Sequence, residues 1–422
     1  MNGFPKMLAV RQAFPASPSL DVEAEVKKCM AQVQVKPGQR IAVAAGSRGI
    51  SNIAQIVGAV LATLKAAGAK PFIVPAMGSH GGATPEGQKE LLGEYGITEQ
   101  KMGVPIEASM DAACIGKTED GIDVFFSKPA LQSDGVVVVN RIKPHTDFMS
   151  DTLGSGILKM MVIGLGKRVG AANFHASASR FGYEHVIRTS ARVTLKAAPI
   201  LCGIAVIENQ RHDTTRIELI KPEDAEAIEN RLYPESKRLM PKLPVDDIDL
   251  LIVDRIGKNI SGAGMDPNVI GRGVHGYSSF LGDRSTHPVV RRIFVRELTP
   301  ETHGNAIGIG MADFTTSRLV RAMSQEVTAI NALTALTPQS AKVPIHFETD
   351  REVIERALIS LALPDTREAK VLRIADTLSL EKIEVSEAYF KRSASIAGIS
   401  KIGGPAELTF DAKGNLLPLK MH

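Results

Sequence analysis

One cation interrupts an apolar run. The segment Gly156–Gly166, "GILKMMVIGLG", is apolar except for Lys159. A lysine so placed either lays its stem along the core and keeps its ammonium in water, or is desolvated, loses its proton more easily and becomes a nucleophile. Three histidines sit in suggestive contexts: His80 in "AMGSHGGATPEGQ", His145 in "NRIKPHTDF" and His175 in "GAANFHASASRFGYEH". Imidazole gives and takes a proton near neutral pH, and two of them flanking a substrate carbon can handle protons from opposite faces. A lone histidine at a strand end is more often structural. Two of them, His80 and His145, each beside Gly or Pro at an expected sheet mouth, strengthen the catalytic reading.

Other chemistries find less support. There is no HExxH, no His-x-His and no carboxylate cluster, which argues against a zinc or di-metal site built from protein ligands alone. His175 and His185 would point to different faces if one helix carried both. A metal held mostly by an organic ligand and a single histidine would leave almost no motif. "GLGKRVG" (Gly164–Gly170) has one residue too many for GxGxxG and follows no clear strand-to-helix turn, "GSGILK" lacks Walker spacing, and no GxSxG occurs. "SGAGMDPNVIGRG" reads either as a phosphate- or carboxylate-binding loop, with Lys258, Asn259 and Arg272 nearby, or as a long linking loop.

These residues need elements to hold them. "RIAVAAGSRG", "KPFIVPAMGSHGG" and "SDGVVVVNRIKPH" are strand-like runs ending in loops. Helical patterns follow, one opened by Ser51 and stopped by Gly68, another opened by Thr84 and Pro85. Strand, loop and helix in alternation define an α/β chain with a parallel sheet. In such sheets functional groups gather at the carboxyl ends of strands, where "GSRG", "MGSHGG" and "NRIKPH" all fall. The four valines in a row suit a strand buried on both faces. The charged, proline-bearing stretch "KPEDAEAIENRLYPESKRLMPKLPVDD" starts as a helix and ends as a linker, and "IDLLIVDRIGKNISGAG" then restarts the pattern. We place the boundary near Leu243, with an N-terminal cofactor-binding and catalytic domain over 1–243 and a second α/β domain over 244–422.

Composition narrows the class. A length of 422 residues implies more than one domain. No apolar window is long enough for a membrane span, and the first twenty residues lack the layout of a secretory signal. Three scattered cysteines (Cys29, Cys114 and Cys202) suit a reducing cytoplasm. A net charge of +4, without basic runs and with only 5% aromatic residues, gives nucleic-acid binding little support and is compatible with a small anionic substrate.

Taken in order, "GSHGGATPEGQ", "KPHTDF" and "GILKMMVIGLGKRVGAANFH" resemble the nickel-dependent lactate racemase superfamily. The resemblance is good over 41–175, looser through the linker and "IDLLIVDRIGKN", and architectural beyond. It implies two α/β domains with mostly parallel sheets and the active site in the cleft between them. It also implies a nickel pincer nucleotide, a nickel-bound pyridinium-3-thioamide-5-thiocarboxylic acid mononucleotide. In the family this group is tethered to a lysine through a thioamide, its nickel held by carbon, two sulfurs and one histidine. By motif, Lys159 resembles the tethering lysine, His175 the nickel-binding histidine, and His80 and His145 the paired acid/base residues. Arg48 resembles the arginine of the family's first active-site loop, with Ser47 beside it at the cofactor. Lys258 and Asn259 occupy the loop that brings substrate contacts from the second domain. The implied activity is racemisation or epimerisation of a small anionic 2-hydroxyacid in the cytoplasm, dependent on separate cofactor-making enzymes and compatible with a homo-oligomer.

Three departures matter. The first loop, "AAGSRGIS", lacks the family's usual acid and proline. The stretch "TDFMSDTLGSGIL" between His145 and Lys159 is longer than usual and points to a substrate other than lactate. The chain also has no tryptophan. Two other classes stay open: a nicotinamide-dependent oxidoreductase of a small hydroxyacid, and a non-catalytic protein that binds the nickel nucleotide.

Overall fold

The structure is a computed structural model and describes residues 3–17, 19–46, 49–146, 148, 150–274, 288–391 and 395–419. The chain forms two compact units, Ser17–Met240 and a second made of Met1–Ala16 with Pro241–His422. The expected N-terminal domain therefore loses its first sixteen residues to the second unit. The cause is strand β1 (Met7–Gln12), which pairs antiparallel with a C-terminal strand from Met7↔Ser386 to Arg11↔Lys382. Leu8 and Val10 of β1 are buried with Leu251, Val253 and Ile383.

The first unit is built on β2 (Arg40–Ala45) and β3 (Lys70–Pro75), with β4 (Ala112–Lys117) and β5 (Asp123–Ser127) as a separate hairpin. Its sheet is completed by β6 (Gly135–Arg141), β7 (Ile200–Glu208) and β8 (Thr214–Ile220), in the order β3-β2-β6-β7-β8. The first four strands run parallel and β8 is antiparallel. The valine run behaves as its period demands, since successive side chains of a strand face opposite ways. Val136 and Val138 join Ala42, Ala44 and Phe72 on one face, and Val137 and Val139 join Ile41, Val43 and Ile73 on the other. Each such burial is worth roughly 1.5–3 kcal/mol.

Helix Ile53–Ala66 covers the second face with Ile53, Ile56, Val57, Val60, Leu61 and Leu64, a 3.6-residue stripe. Its cap position is Asn52 rather than Ser51, whose amide donates instead to Glu208 at 2.7 Å. Helix Pro85–Glu94 does open on Thr84, whose hydroxyl accepts from the Gly87 amide at 3.1 Å. From β2 the chain goes first to one side, to β3, and later to the other, to β6. The connections diverge between β2 and β6, which makes this the switch point of the sheet, where α/β proteins bind ligands beyond the strand ends.

The second unit holds β9 (Asp247–Ile256), β10 (Val289–Leu298), β11 (Phe314–Thr316), β12 (Ile345–Phe347), β13 (Val371–Ile374), β14 (Lys382–Ser386) and β15 (Ile399–Lys401). With β1 they form one sheet, β12-β11-β10-β9-β13-β14-β1-β15. It is parallel from β12 to β13 and antiparallel from β13 to β15, so four of its seven pairings are parallel. Among the described residues, no helix is long and apolar enough to cross a membrane.

Candidate active site

Three loops leave the carboxyl ends of β2, β3 and β6. The first begins at Gly46, and its Ser47 and Arg48 lie outside the described residues. The second carries His80, half-buried, on a turn where Gly78, Gly81 and Gly82 all take positive φ. The third carries His145, which is buried. Glu208, at the end of β7, ties this edge together. One carboxylate oxygen pairs with Arg141 at the end of β6, and the other accepts from the Ser51 amide.

Lys159 closes a single helical turn, Ile157–Lys159, that runs directly into a π-helical turn, Met160–Gly164. The π turn is closed by the Leu165 amide donating to the Met160 carbonyl at 2.9 Å, and such turns occur frequently at functional sites. Two polar groups fix its start. The Leu158 amide donates to Glu229 Oε2 at 3.0 Å, and Asn140 Nδ2 donates to the Gly156 carbonyl at 2.7 Å. Gly156 has to lack a side chain, because a Cβ there would lie 2.1 Å from Glu229 Oε1.

The turn also touches both histidine loops. The Gly78 amide donates to the Gly164 carbonyl at 3.0 Å, next to His80. Lys143 and Ser155 exchange two backbone hydrogen bonds, at 2.9 and 2.7 Å, which hold the His145 loop just ahead of Lys159. His80, His145 and Lys159 thus ride on segments bonded to one another at one end of one sheet.

The stretch holding His175 and His185 is two helices rather than one. Helix Lys167–Phe181 ends at Gly182 (φ 83°, ψ 148°), and Tyr183–Ala197 starts anew. His175 is half-buried on the first, while His185 lies on the second and pairs with Asp120 at 2.7 Å. An aromatic wall joins His145 to His175. The Tyr183 ring lies 6.3 Å from each, and Phe148 stacks on His145 at 4.8 Å and on Tyr183 at 5.3 Å. Phe174 meets His175 edge-on at 5.4 Å and Tyr183 at 5.7 Å. Sequence reasoning passed over these three rings. Phe148 stands in the extra-long stretch already singled out, and Tyr183 follows the helix-breaking Gly182.

Burial separates two lysines that the sequence reading had not compared. Lys159 is only half-buried, whereas Lys167 is fully enclosed, its backbone at φ +58°. That left-handed conformation costs a non-glycine residue about 1 kcal/mol or more. Desolvation lowers the Lys167 amine to about 8. Glu229 shows the converse, its carboxyl pushed up to about 7 by burial although the Leu158 and Ile157 amides and Arg188 pull it down.

Lys258 and Asn259 stand in the second unit, just beyond β9. Lys258 Nζ donates to the Gly262 carbonyl at 3.1 Å, and Asn259 Oδ1 accepts from the Thr299 hydroxyl at 2.7 Å. Arg272 is a structural tie rather than a ligand-facing cation. It is buried and donates to the Met311 carbonyl at 2.9 Å and to Asp313 at 2.7 Å. "GLGKRVG" leaves a π turn and not a strand, so the strand-to-helix setting of a dinucleotide fingerprint is missing there. Among the described residues, no three His, Cys, Asp or Glu side chains come together as a metal site.

The first unit is thus an α/β domain whose histidine- and lysine-bearing segments are bonded together beside a topological switch point, the usual place for a bound organic ligand. Residues 18–181 match the family of the lactate racemase N-terminal domain, a span that includes His80, His145, Lys159 and His175. Among solved structures, the lactate racemase apoprotein from Thermoanaerobacterium thermosaccharolyticum shares the fold. It has a TM-score of 0.50 and 15% identity, and the match covers 90% of this chain and 94% of that one. No curated protein matches the chain in sequence. Residues 18–181 thus carry a lactate racemase N-terminal domain, and the likeness to the solved apoprotein is one of fold.

Proposed function

We propose that the protein is a racemase or epimerase of a 2-hydroxyacid other than lactate, working with a nickel pincer nucleotide tethered to Lys159. One observation carries the reading: the lactate racemase domain match spans the very segments that meet at the end of the first sheet. The donor set fits the group. Lys159 offers a primary amine on a turn pinned by Asn140 and Glu229. His175 offers one imidazole, and nickel accepts imidazole alongside soft sulfur.

When bound, the nucleotide supplies a reversible acceptor for hydride. The chain's own work is proton handling and orientation. His80 and His145 divide it: one imidazole takes the proton of the substrate hydroxyl, and the other gives a proton back to the oxygen once the carbon has been rebuilt in the opposite configuration. Phe148 and Tyr183 wall the His145 side, exclude water there and narrow the space for the substrate side chain. This favours a substrate that differs from lactate in that side chain. Separate enzymes must make the nucleotide.

Co-expression with cofactor-making enzymes, followed by a hydroxyacid panel scored for loss of optical purity, tests the activity. Intact mass should show an adduct that vanishes in Lys159→Ala together with racemisation. Turnover of added NAD by a chain without any adduct would reject the reading. His80→Ala or His145→Ala should keep the adduct and lose at least about 100-fold in rate. Full binding with no inversion of any hydroxyacid, in wild type and variants alike, would instead mark a carrier.

A further inference from the structure

Eight residues beyond Lys159 stands Lys167, a second amine that the proposed chemistry does not use. It is fully buried, and its ammonium donates to the Pro75 carbonyl at 2.7 Å and to Gln88 Oε1 at 3.3 Å. Both acceptors are neutral. Burying an ammonium without a carboxylate partner is unfavourable, and methionine would fill similar space without that penalty. Packing alone does not explain a lysine here.

Gln88, equally buried, supplies the reason. An amide can turn either its oxygen or its NH2 towards a neighbour, whereas an ammonium only donates. Lys167 therefore admits only the oxygen of Gln88. Its Nε2 is left to donate to the Gly78 carbonyl at 3.1 Å and to the His80 carbonyl at 3.2 Å. Those carbonyls belong to a turn with three positive-φ glycines, Gly78, Gly81 and Gly82, which has little conformational preference of its own. The same Lys167 also grips Pro75, the last residue of β3, where the turn departs. The turn is held from beneath at its root, at its first glycine and at His80 itself.

We infer that Lys167, acting through Gln88, is a positioning residue that fixes the backbone of His80 and so the direction of its imidazole. The catalytic consequence rests on the reading of His80 as a proton-transfer residue. The structural consequence does not.

Two variants test it. Gln88→Glu keeps an oxygen facing Lys167 but removes both N–H donors to the turn, and Lys167→Met keeps the bulk but frees the amide. Histidine-labelled NMR of the cofactor-free chain reads the ring without any turnover. In both variants the His80 resonances and their pH titration should move while those of His145 and His175 stay. In the loaded enzyme kcat should fall about 10- to 100-fold, with KM and adduct level unchanged. Should Lys167→Met fail to fold, Gln88→Glu decides alone. Wild-type His80 resonances in folded Gln88→Glu, or equal movement of all three histidines, would overturn the inference. If the wild type inverts no hydroxyacid, the proposed function falls, and the NMR comparison still decides the positioning.

Discussion

Two buried ionisable side chains in the first unit pull stability in opposite directions along the pH scale. Glu229 titrates near 7 in the folded chain and near 4.5 as an ordinary glutamate, so the folded state holds its proton more tightly. Its effect is a loss of stability as pH rises from about 4.5 through 7. Lys167 titrates near 8 instead of 10.5, so the folded state releases its proton sooner, and stability returns as pH climbs from about 8 to 10.5. Each swing is at most on the order of 3 kcal/mol. Between them lies a trough at pH 7 to 8, where both groups are charged and enclosed. Denaturant melts across pH should show that trough. Glu229→Gln should flatten its acid wall, since the amide oxygen can still accept from Leu158, and Lys167→Met its alkaline wall. A flat profile in the wild type would contradict both assignments.

At the scale of elements, the short helix bearing Lys159 is held by a glycine and an acid from a distant helix. Gly156 has extended backbone (φ −169°), so any residue could adopt its conformation, and the obstacle to a side chain is the Glu229 carboxylate. Gly156→Ala should destabilise by about 1–3 kcal/mol and lower the fraction of chain carrying the adduct. Combined with Glu229→Ala, its effect should fall short of the sum by about 0.5–3 kcal/mol. Chemical melts of the four proteins in the cycle would show it, and strict additivity would refute the contact. The elements themselves were largely legible. Four valines in a row suited a strand buried on both faces, and Thr84-Pro85 announced a helix start. Side-chain environment was less so. Lys159 drew notice for its apolar flanks, yet a backbone turn places Lys167, in a segment that looked like a failed nucleotide motif, deeper inside. Glu229 sits in a stretch so charged that it reads as surface. The wall of Phe148, Phe174 and Tyr183 joins positions whose nearness only the folded chain creates.

At the scale of the molecule, the N-terminal strand belongs with the C-terminal strands. β1 lies between β14 and β15, so its removal would leave two strand edges without a partner. A chain lacking residues 1–12 should lose amide protection in β14 and β15 while β2, β3 and β6 of the first unit keep theirs. Peptide-resolved hydrogen exchange would check this, and uniform loss across both units would refute it. The segment Ser17–Met240 is contiguous, and every strand of its sheet pairs within it. β1 instead waits through some 370 residues of synthesis for Lys382–Ser386. On a ribosome the early segment can therefore settle while the strand made before it stays idle, a stray apolar ribbon open to chaperones until its partner strand has emerged.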